Sequence, residues 1–530
     1  MSRPINEQAW HQITEEITSG MREWRLQHPK ATLREMEQEL DTRWLRARTR
    51  MLQDMALAST AASWADTPSA HHPECPECNT PLHERGTQPR TLQTHGGQDL
   101  TFERTYGVCP ACGAGLFPLD DELGLLPGTL TPRLQEALVR LSTHIPSFAK
   151  ASAELTWFTG ATVHPDTARR QTIAAGELLL AHHSAQANQI LHTHPAPPCA
   201  PDTLLFSVDG AFIPLVHAEW TEVRTLAVGV VQPAHPTPSG RVVQTTNLSY
   251  FSRRSDSTTF ANLALVELHR RGIDAARRVG AVVDGAAWCQ TFIDIHYPEA
   301  VRILDFAHAS EYLSRIGQYI GPQGPLLDAQ ELVELRTLLK RDGPEAVLER
   351  LREVVGLVPG VTELKTQLAY LEARVSQMQY GAFREQGWPI GSGMVESANK
   401  LVVEDRLKGA GMHWAQASVN PLLALRNAVC NDRWSECWTV IEQAQRHRVV
   451  AKRRAQRVKR REGGISEPHQ VTNPPVITQE VRGVRIEPLP NSPVITQEMP
   501  VVRIEPLPKQ IHPWKRAWSI RRQRELANAV

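Results

Sequence analysis

The chain has 530 residues, 41% of them hydrophobic and 22% charged, with a formal net charge of +1. This is ordinary globular usage and excludes a largely disordered or fibrous protein. No apolar run approaches the roughly 20 residues that cross a bilayer, and the opening MSRPINEQAW has no apolar stretch of the signal-peptide kind, so the expectation is a cytoplasmic protein with no membrane partner. Near-neutrality conceals an asymmetry: residues 441–530 hold 18 Lys+Arg against 8 Asp+Glu, a basic tail on a mildly acidic body. Such a tail suits a polyanion such as nucleic acid, or plain solvation.

Residues 1–60 read as two helices, WHQITEEITSGMREWRLQ and, after His28-Pro29, ATLREMEQELDTRWLRARTRMLQDMAL. In the second, Leu33, Met36, Leu40, Trp44 and Leu45 recur at helical spacing, the pattern of a packing or dimerising face.

Residues 61–127 are turn-rich and carry Cys75-Pro-Glu-Cys78 and Cys109-Pro-Ala-Cys112, separated by a hairpin signal, RTLQTHGG then QDLTFERTYGV. Each CxxC knuckle turns two thiolates toward one point, and two knuckles supply the four tetrahedral sulfur ligands of a structural zinc. The segment is therefore expected to be a zinc ribbon, with Zn²⁺ supplying folding free energy to a unit too small to fold on its own core. Cys199, Cys289, Cys430 and Cys437 lack ligand spacing and read as structural.

Residues 128–187 return to helical patterning. SFAKASAELTWF (147–158), the turn Thr159-Gly160-Ala161 and HPDTARRQTIAA (164–175) fit a helix-turn-helix, whose second helix would carry Arg169, Arg170 and Gln171 to DNA. Any helical corner with a glycine turn shares this pattern. Residues 188–202 hold Pro195, Pro197, Pro198 and Pro201 and read as an extended linker.

Residues 203–440 alternate strand and helix signals. TLLFSVDG ends in Asp209-Gly210; the runs EVRTLAVGVVQ and RVVQTTNLSYF follow, then the helix STTFANLALVELHRRG, then RVGAVVDG ending in Asp284-Gly285, and VRILD ending in Asp305. Three strands, a helix, a strand, a helix and a strand is the order of an RNase H-like α/β fold, which would set Asp209 and Asp284 at neighbouring strand ends. A long all-helical insertion is expected over 309–389, after which IGSGMVESANK opens a helix with Glu396 in its first turn. Three carboxylates from separate elements would then converge as the hard oxygen ligands that two Mg²⁺ or Mn²⁺ ions require for phosphodiester chemistry. Each acid also has a structural explanation: Asp-Gly after a strand is a common turn, Glu396 suits the positive end of its helix, and Asp305 suits an N-cap. The tail, 441–530, is read as largely disordered and contains a tandem duplication, NPPVITQEVRGVRIEPLP (473–490) then NSPVITQEMPVVRIEPLP (491–508).

Taken together, CPECNTPL, CPACGAGLFPLDDELGL, SVDGAFIPL, VVDGAAW, LDFAHASEYL and IGSGMVESANKLVVEDRLKGAGMHW resemble bacterial insertion-sequence transposases of the Kra type, distant relatives of the Mutator-like DDE transposases. The likeness runs from about residue 30 to 440, and GSGMVESANK and GAGMHW are its most specific parts. It implies a catalytic triad of Asp209, Asp284 and Glu396, with Asp305 and His308 as a supporting Asp-x-x-His signature and Asp305 as the runner-up second acid. It implies DNA contacts from Asn399, Lys400, Arg406, Lys408 and Trp414, with His413 in the same basic-aromatic stretch; an ordinary solvated helix end with a core Trp is the alternative there. The implied activity is binding of an element's terminal inverted repeats, cleavage of its ends and joining of the 3′-hydroxyls to target DNA, by a nucleoid-associated dimer or larger assembly. The alternatives are a non-catalytic zinc-containing DNA-binding protein of that descent and a structure-specific nuclease.

Overall fold

The computed structural model describes residues 7–64, 66–237, 240–321 and 324–462; the duplicated segment of the tail lies outside them. It is a mixed α/β protein in which described residues up to 462 belong to one unit. No helix among the described residues is long and apolar enough to cross a membrane.

Helix α1 (Glu7–Gln27) pairs with α2 (Leu33–Leu57), whose start is fixed by a capping box between Thr32 and Glu35. Only part of the predicted face of α2 packs within the chain, Leu45 lying against Gly96 of the hairpin tip. Leu33, Leu40 and Trp44 are exposed, whereas Leu52 and Leu57, nearer the C-terminus, reach the core formed by Ala62, Leu92, Leu100 and Phe102. Its strand residues come from β1 (His83–Gln93) and β2 (Asp99–Val108), which with β3 (Gly115–Leu116) form an antiparallel sheet in the order β1-β2-β3 followed by the short helix α3 (Pro118–Glu122).

Three helices follow: α4 (Pro132–His144), α5 (Phe148–Thr159) and α6 (Pro165–Thr193). Gly160 ends α5 in the left-handed region at φ 68°. The tip of the β1–β2 hairpin is seated on this corner: the Gly96 amide donates to the Thr159 carbonyl at 2.6 Å, and a Cβ on Gly97 would come within 2.5 Å of the Gly160 oxygen. Helix α6 runs to Thr193, so the linker expected from residue 188 is helical for its first six positions. Gly176 lets α6 lie directly on the Pro421 backbone of a later helix.

The large sheet contains β4 (Thr203–Pro214), β5 (Trp220–Val231), β8 (Thr245–Arg253), β9 (Arg278–Val283) and β10 (Val301–Leu304), with a small hairpin, β6 (His235–Thr237) and β7 (Gly240–Val242), between β5 and β8. Its order is β10-β9-β4-β5-β8. β4, β5 and β8 are antiparallel, and β9 and β10 run parallel to β4. Strand periodicity divides the apolar run of β4 between two cores. Leu204, Phe206 and Val208 pack with Phe260 of α7 (Ser257–Arg270) and Phe292 of α8 (Ala287–His296), and Ala211 and Ile213 pack on the opposite face with Val395, Ala398 and Val402.

After β10 come α9 (Phe306–Gly317), α10 (Ala329–Asp342), α11 (Glu345–Gly356), α12 (Thr362–Glu372) and α13 (Tyr380–Glu385), which share a core with one face of the sheet. The insertion is not all-helical as expected: β11 (Ile320–Gly321) pairs with β12 (Gly324–Pro325) between α9 and α10. Then α14 (Gly393–Ala398) passes into a π-helical turn (Asn399–Glu404) and α15 (Asp405–Leu407), followed by α16 (Gln416–Cys430) and α17 (Trp434–Glu462).

Helix α16 closes the free edge of the sheet in an unusual manner. Asn420 and Asn427 on this helix and Asn431 at its C-cap each use the side-chain amide both to accept from and to donate to the backbone of Arg254, Ser252 or Tyr250, at 2.8–3.1 Å. These amides stand where another strand would pair, satisfying edge groups that would otherwise be buried without partners. Helix α17 corrects the disordered-tail expectation over 441–462. Its first turns bury Trp434, Trp438 and Ile441 beside α6 and α16. Its basic second half then reaches the cysteine-bearing unit, with Arg453 bidentate on Asp121 at 2.9 and 3.2 Å.

Candidate active site and metal centre

The two cysteine knuckles close on each other. In each, the backbone amide four residues on returns to the carbonyl of the first cysteine: Asn79 N–H donates to Cys75 O and Gly113 N–H to Cys109 O, with Asn79 and Gly113 both at positive φ. The Sγ atoms of Cys75 and Cys112 are 3.6 Å apart, those of Cys78 and Cys109 3.4 Å, and all four lie within 4.8 Å of one another. A zinc ion bound at about 2.3 Å to four sulfurs sets them roughly 3.8 Å apart, so the donor set fits. Burial pushes the Cys75 thiol up, whereas hydrogen bonds from Thr80 pull the exposed Cys78 thiol down, toward the thiolate that a metal takes. Arg457 of α17 donates to Cys112 Sγ at 3.3 Å and pairs with Glu77 at 2.6 Å.

The carboxylates are assembled by register. β4 and β9 pair in parallel through Phe206 and Ala281, and three residues farther along each chain stand Asp209 and Asp284. Asp209 shares its strand face with Ala211 and Ile213, the residues on which α14 packs, so Glu396 and Asn399, one helical turn apart on that segment, are brought to the same side. Asn399 donates to Asp209 Oδ2 at 2.8 Å. Burial, helped by the negative fields of Asp284, Glu396 and Glu222 and opposed by the Gly210 amide, raises the Asp209 pKa to about 6. The acids are near enough to repel, yet among the described residues the four cysteines are the only group of three or more whose ligand atoms all lie within 4.8 Å.

Each acid has its own support. Asp284 Oδ1 accepts from the Ala286 amide at 2.9 Å and from Cys289 Sγ at 3.4 Å, and the same thiol lies 3.7 Å from the Val208 carbonyl, linking the two aspartate-bearing strands. The helical insertion grips the turn from outside: Tyr370 donates to the Asp284 carbonyl, and Arg374, its guanidinium over the Tyr370 ring, donates to the Gly285 carbonyl at 2.8 Å. Gly285 is at φ +79°, and a Cβ there would meet Tyr370 Oη at 2.4 Å. His308 lies edge-on to Tyr312 and Tyr370, behind this clamp.

Asp305 is not a free acid. It is 4% exposed, and its oxygens accept from the His308 amide and the Ser392 amide, both at 2.7 Å. It thereby caps α9 and fixes the Gly391-Ser392-Gly393 loop, while the Ser392 hydroxyl donates to Glu396 Oε1 at 3.4 Å. Asp305, the alternative second acid, is therefore a buried helix cap with one amide donor on each oxygen.

The expected DNA contacts divide. Lys400 and Lys408 are exposed, Lys408 pairing with Glu404 at 2.5 Å. Arg406, however, is 0% exposed; it donates to the Ser142 and Pro146 carbonyls at 3.0 and 2.8 Å and lies between the rings of Phe148 and Trp414. Trp414 donates to the Leu407 carbonyl, and its backbone pairs with Pro214 and Val216. Arg406 and Asn399 are thus corrected from DNA contacts to internal ones, while Trp414 is partly exposed. Arg169 and Arg170 are exposed at the start of α6, both paired with Asp166, and Gln171 is partly buried with its Oε1 unpartnered. Sequence reasoning missed Glu222, Tyr370 and Arg374, the i, i+4 spacing of the last two being the available signal, and read Cys289 as structural without its link to Asp284.

Comparison with protein-family models finds no match, and a search of curated proteins finds no similar chain.

Proposed function

We propose that the chain is a DNA transposase whose sheet is an RNase H-like core and whose catalytic acids are Asp209, Asp284 and Glu396. The observation that carries this reading is the register: two parallel neighbouring strands deliver aspartates at the same level, and the helix on that face presents a glutamate to them. Carboxylate oxygens are the hard donors that Mg²⁺ or Mn²⁺ takes, and the repulsion that Asp284 and Glu396 exert on Asp209 would be relieved by a cation. When bound, such ions would activate the attacking oxygen and stabilise the leaving one. Asp209 holds the centre of the site, Asp284 is kept rigid by Cys289 and the Tyr370–Arg374 clamp, and Glu396 is set by the loop that Asp305 anchors. Arg169, Arg170, Lys400 and Lys408 are exposed cations suited to phosphates. The Cys₄ centre, as a structural zinc site, braces the hairpin against the α5–α6 corner.

The test is nicking of the repeats that flank the gene by full-length protein with Mg²⁺ or Mn²⁺. Wild type is expected to cut, and D209A, D284A and E396A to lose at least about a thousand-fold in rate while still binding the DNA. The second reading, a non-catalytic DNA-binding protein, draws on the acids not being gathered within 4.8 Å as the cysteines are. It prevails if wild type binds these ends and never cuts them.

A further inference from the structure

Asn399 is 7% exposed, and its side chain crosses 190 positions of sequence to donate to Asp209 Oδ2 at 2.8 Å. Its other polar atom, Oδ1, is buried and has no hydrogen-bond partner. The orientation is not arbitrary, because an ionised carboxylate only accepts, so the amide must turn its N–H toward Asp209. The planar amide then keeps Oδ1 beside that contact. A buried, unpaired carbonyl oxygen costs about 1–3 kcal/mol unless something donates to it, and metal-bound waters are strong donors. The residue also opens the π-helical turn Asn399–Glu404, a local irregularity of the kind that accompanies functional sites.

We infer that Asn399 is a positioning residue for a divalent cation: its N–H fixes the oxygen of Asp209 that is not offered to the ion, and its Oδ1 accepts from a water the ion carries. This rests on the reading of Asp209 as a metal ligand given above. It differs from a DNA contact, since the amide is enclosed by the helix and the sheet. Partners of this type orient a ligand rather than bind the ion, and their removal typically costs 10- to 100-fold in metal affinity.

The experiment measures Mn²⁺ binding by electron paramagnetic resonance on the zinc-loaded full chain, together with the rise in melting temperature that Mn²⁺ produces, neither of which depends on DNA cleavage. N399A is expected to bind Mn²⁺ about 10- to 100-fold more weakly. N399D, which sets a second carboxylate against Asp209, is expected to melt lower without Mn²⁺ and to gain more from it than wild type does. N399S serves if N399A does not retain the native circular dichroism spectrum and zinc content. If folded N399A or N399S binds Mn²⁺ as wild type does while D209A does not, Asn399 has no such role and the acid site stands. If D209A also binds as wild type does, the metal reading of the acid site falls, and this inference with it.

Discussion

The cysteine centre and the carboxylate site are built on opposite principles. Cys75 and Cys112 are 37 positions apart, and each knuckle is shaped by its own turn, so four ligands meet through local chemistry and one short hairpin. Asp209 and Asn399 are 190 positions apart and meet only because a sheet register, a helix packed on one strand face and an anchored loop all hold together. The first centre is compact before any partner acts on it; the second is a set of mutually repelling acids kept near one another by their surroundings. A local centre should therefore fail by losing its metal, and a long-range one by losing its scaffold.

The largest effect expected is at the cysteines. C75S or C109S should abolish stoichiometric zinc and cost at least about 5 kcal/mol of local stability, since structural zinc supplies much of the folding free energy of such units. Zinc content and protease cleavage within 61–127 measure this, and a wild-type chain that carries no zinc and ignores chelators would break the comparison. Next is R406A, which leaves the Ser142 and Pro146 carbonyls without their donor and opens a cavity between two rings; a loss of about 2–4 kcal/mol in denaturant unfolding is expected. If R406A unfolds like wild type but binds DNA poorly, the assignment of Arg406 as an internal clamp is wrong. N427A should cost about 1–3 kcal/mol by stripping both partners from Ser252 on the edge strand, with faster amide exchange at 250–254 as the accompanying sign.

The pH dependence sharpens the scaffold side. Burial lowers His183 and His296 from 6.5 to about 4 in the folded protein. The unfolded chain takes up protons between those values that the folded chain refuses, so the stabilisation is complete above about pH 6.5 and is lost as pH falls toward 4. Replacing either by Gln should flatten the fall by about 1–3 kcal/mol, read from melting curves across that range. The smallest effect is R457A, which should leave overall stability close to wild type but speed zinc release to a chelating dye, because Cys112 Sγ loses the Arg457 guanidinium. An unchanged release rate would show that α17 does not brace the cysteine centre.

How much could be read in advance follows from the same contrast. The CxxC spacing, the β1–β2 hairpin and the strand–helix order were legible because each depends on neighbouring residues. The face of α2 was legible only in part, because helical periodicity reveals a stripe without saying which part meets a partner within the chain: Leu45, Leu52 and Leu57 do, and Leu33 does not. Arg406 looked like a surface cation because an arginine spent on carbonyls of a distant turn has the same local sequence as one facing solvent. The asparagines of α16 carried no signal, since their partners on β8 are more than 160 positions away.

The sequence alone determined the cysteine ligand set, the alternation of strands and helices in 203–440, and the candidate acids at the ends of their strands. Only the tertiary structure decided that Asp305 is a buried cap, that Asn399 and Glu222 adjoin Asp209, and that α17 returns to the cysteine unit. The physical reason is that turns and periodicity are fixed by near neighbours, whereas the pairing of a buried charge depends on whatever distant segment is packed against it.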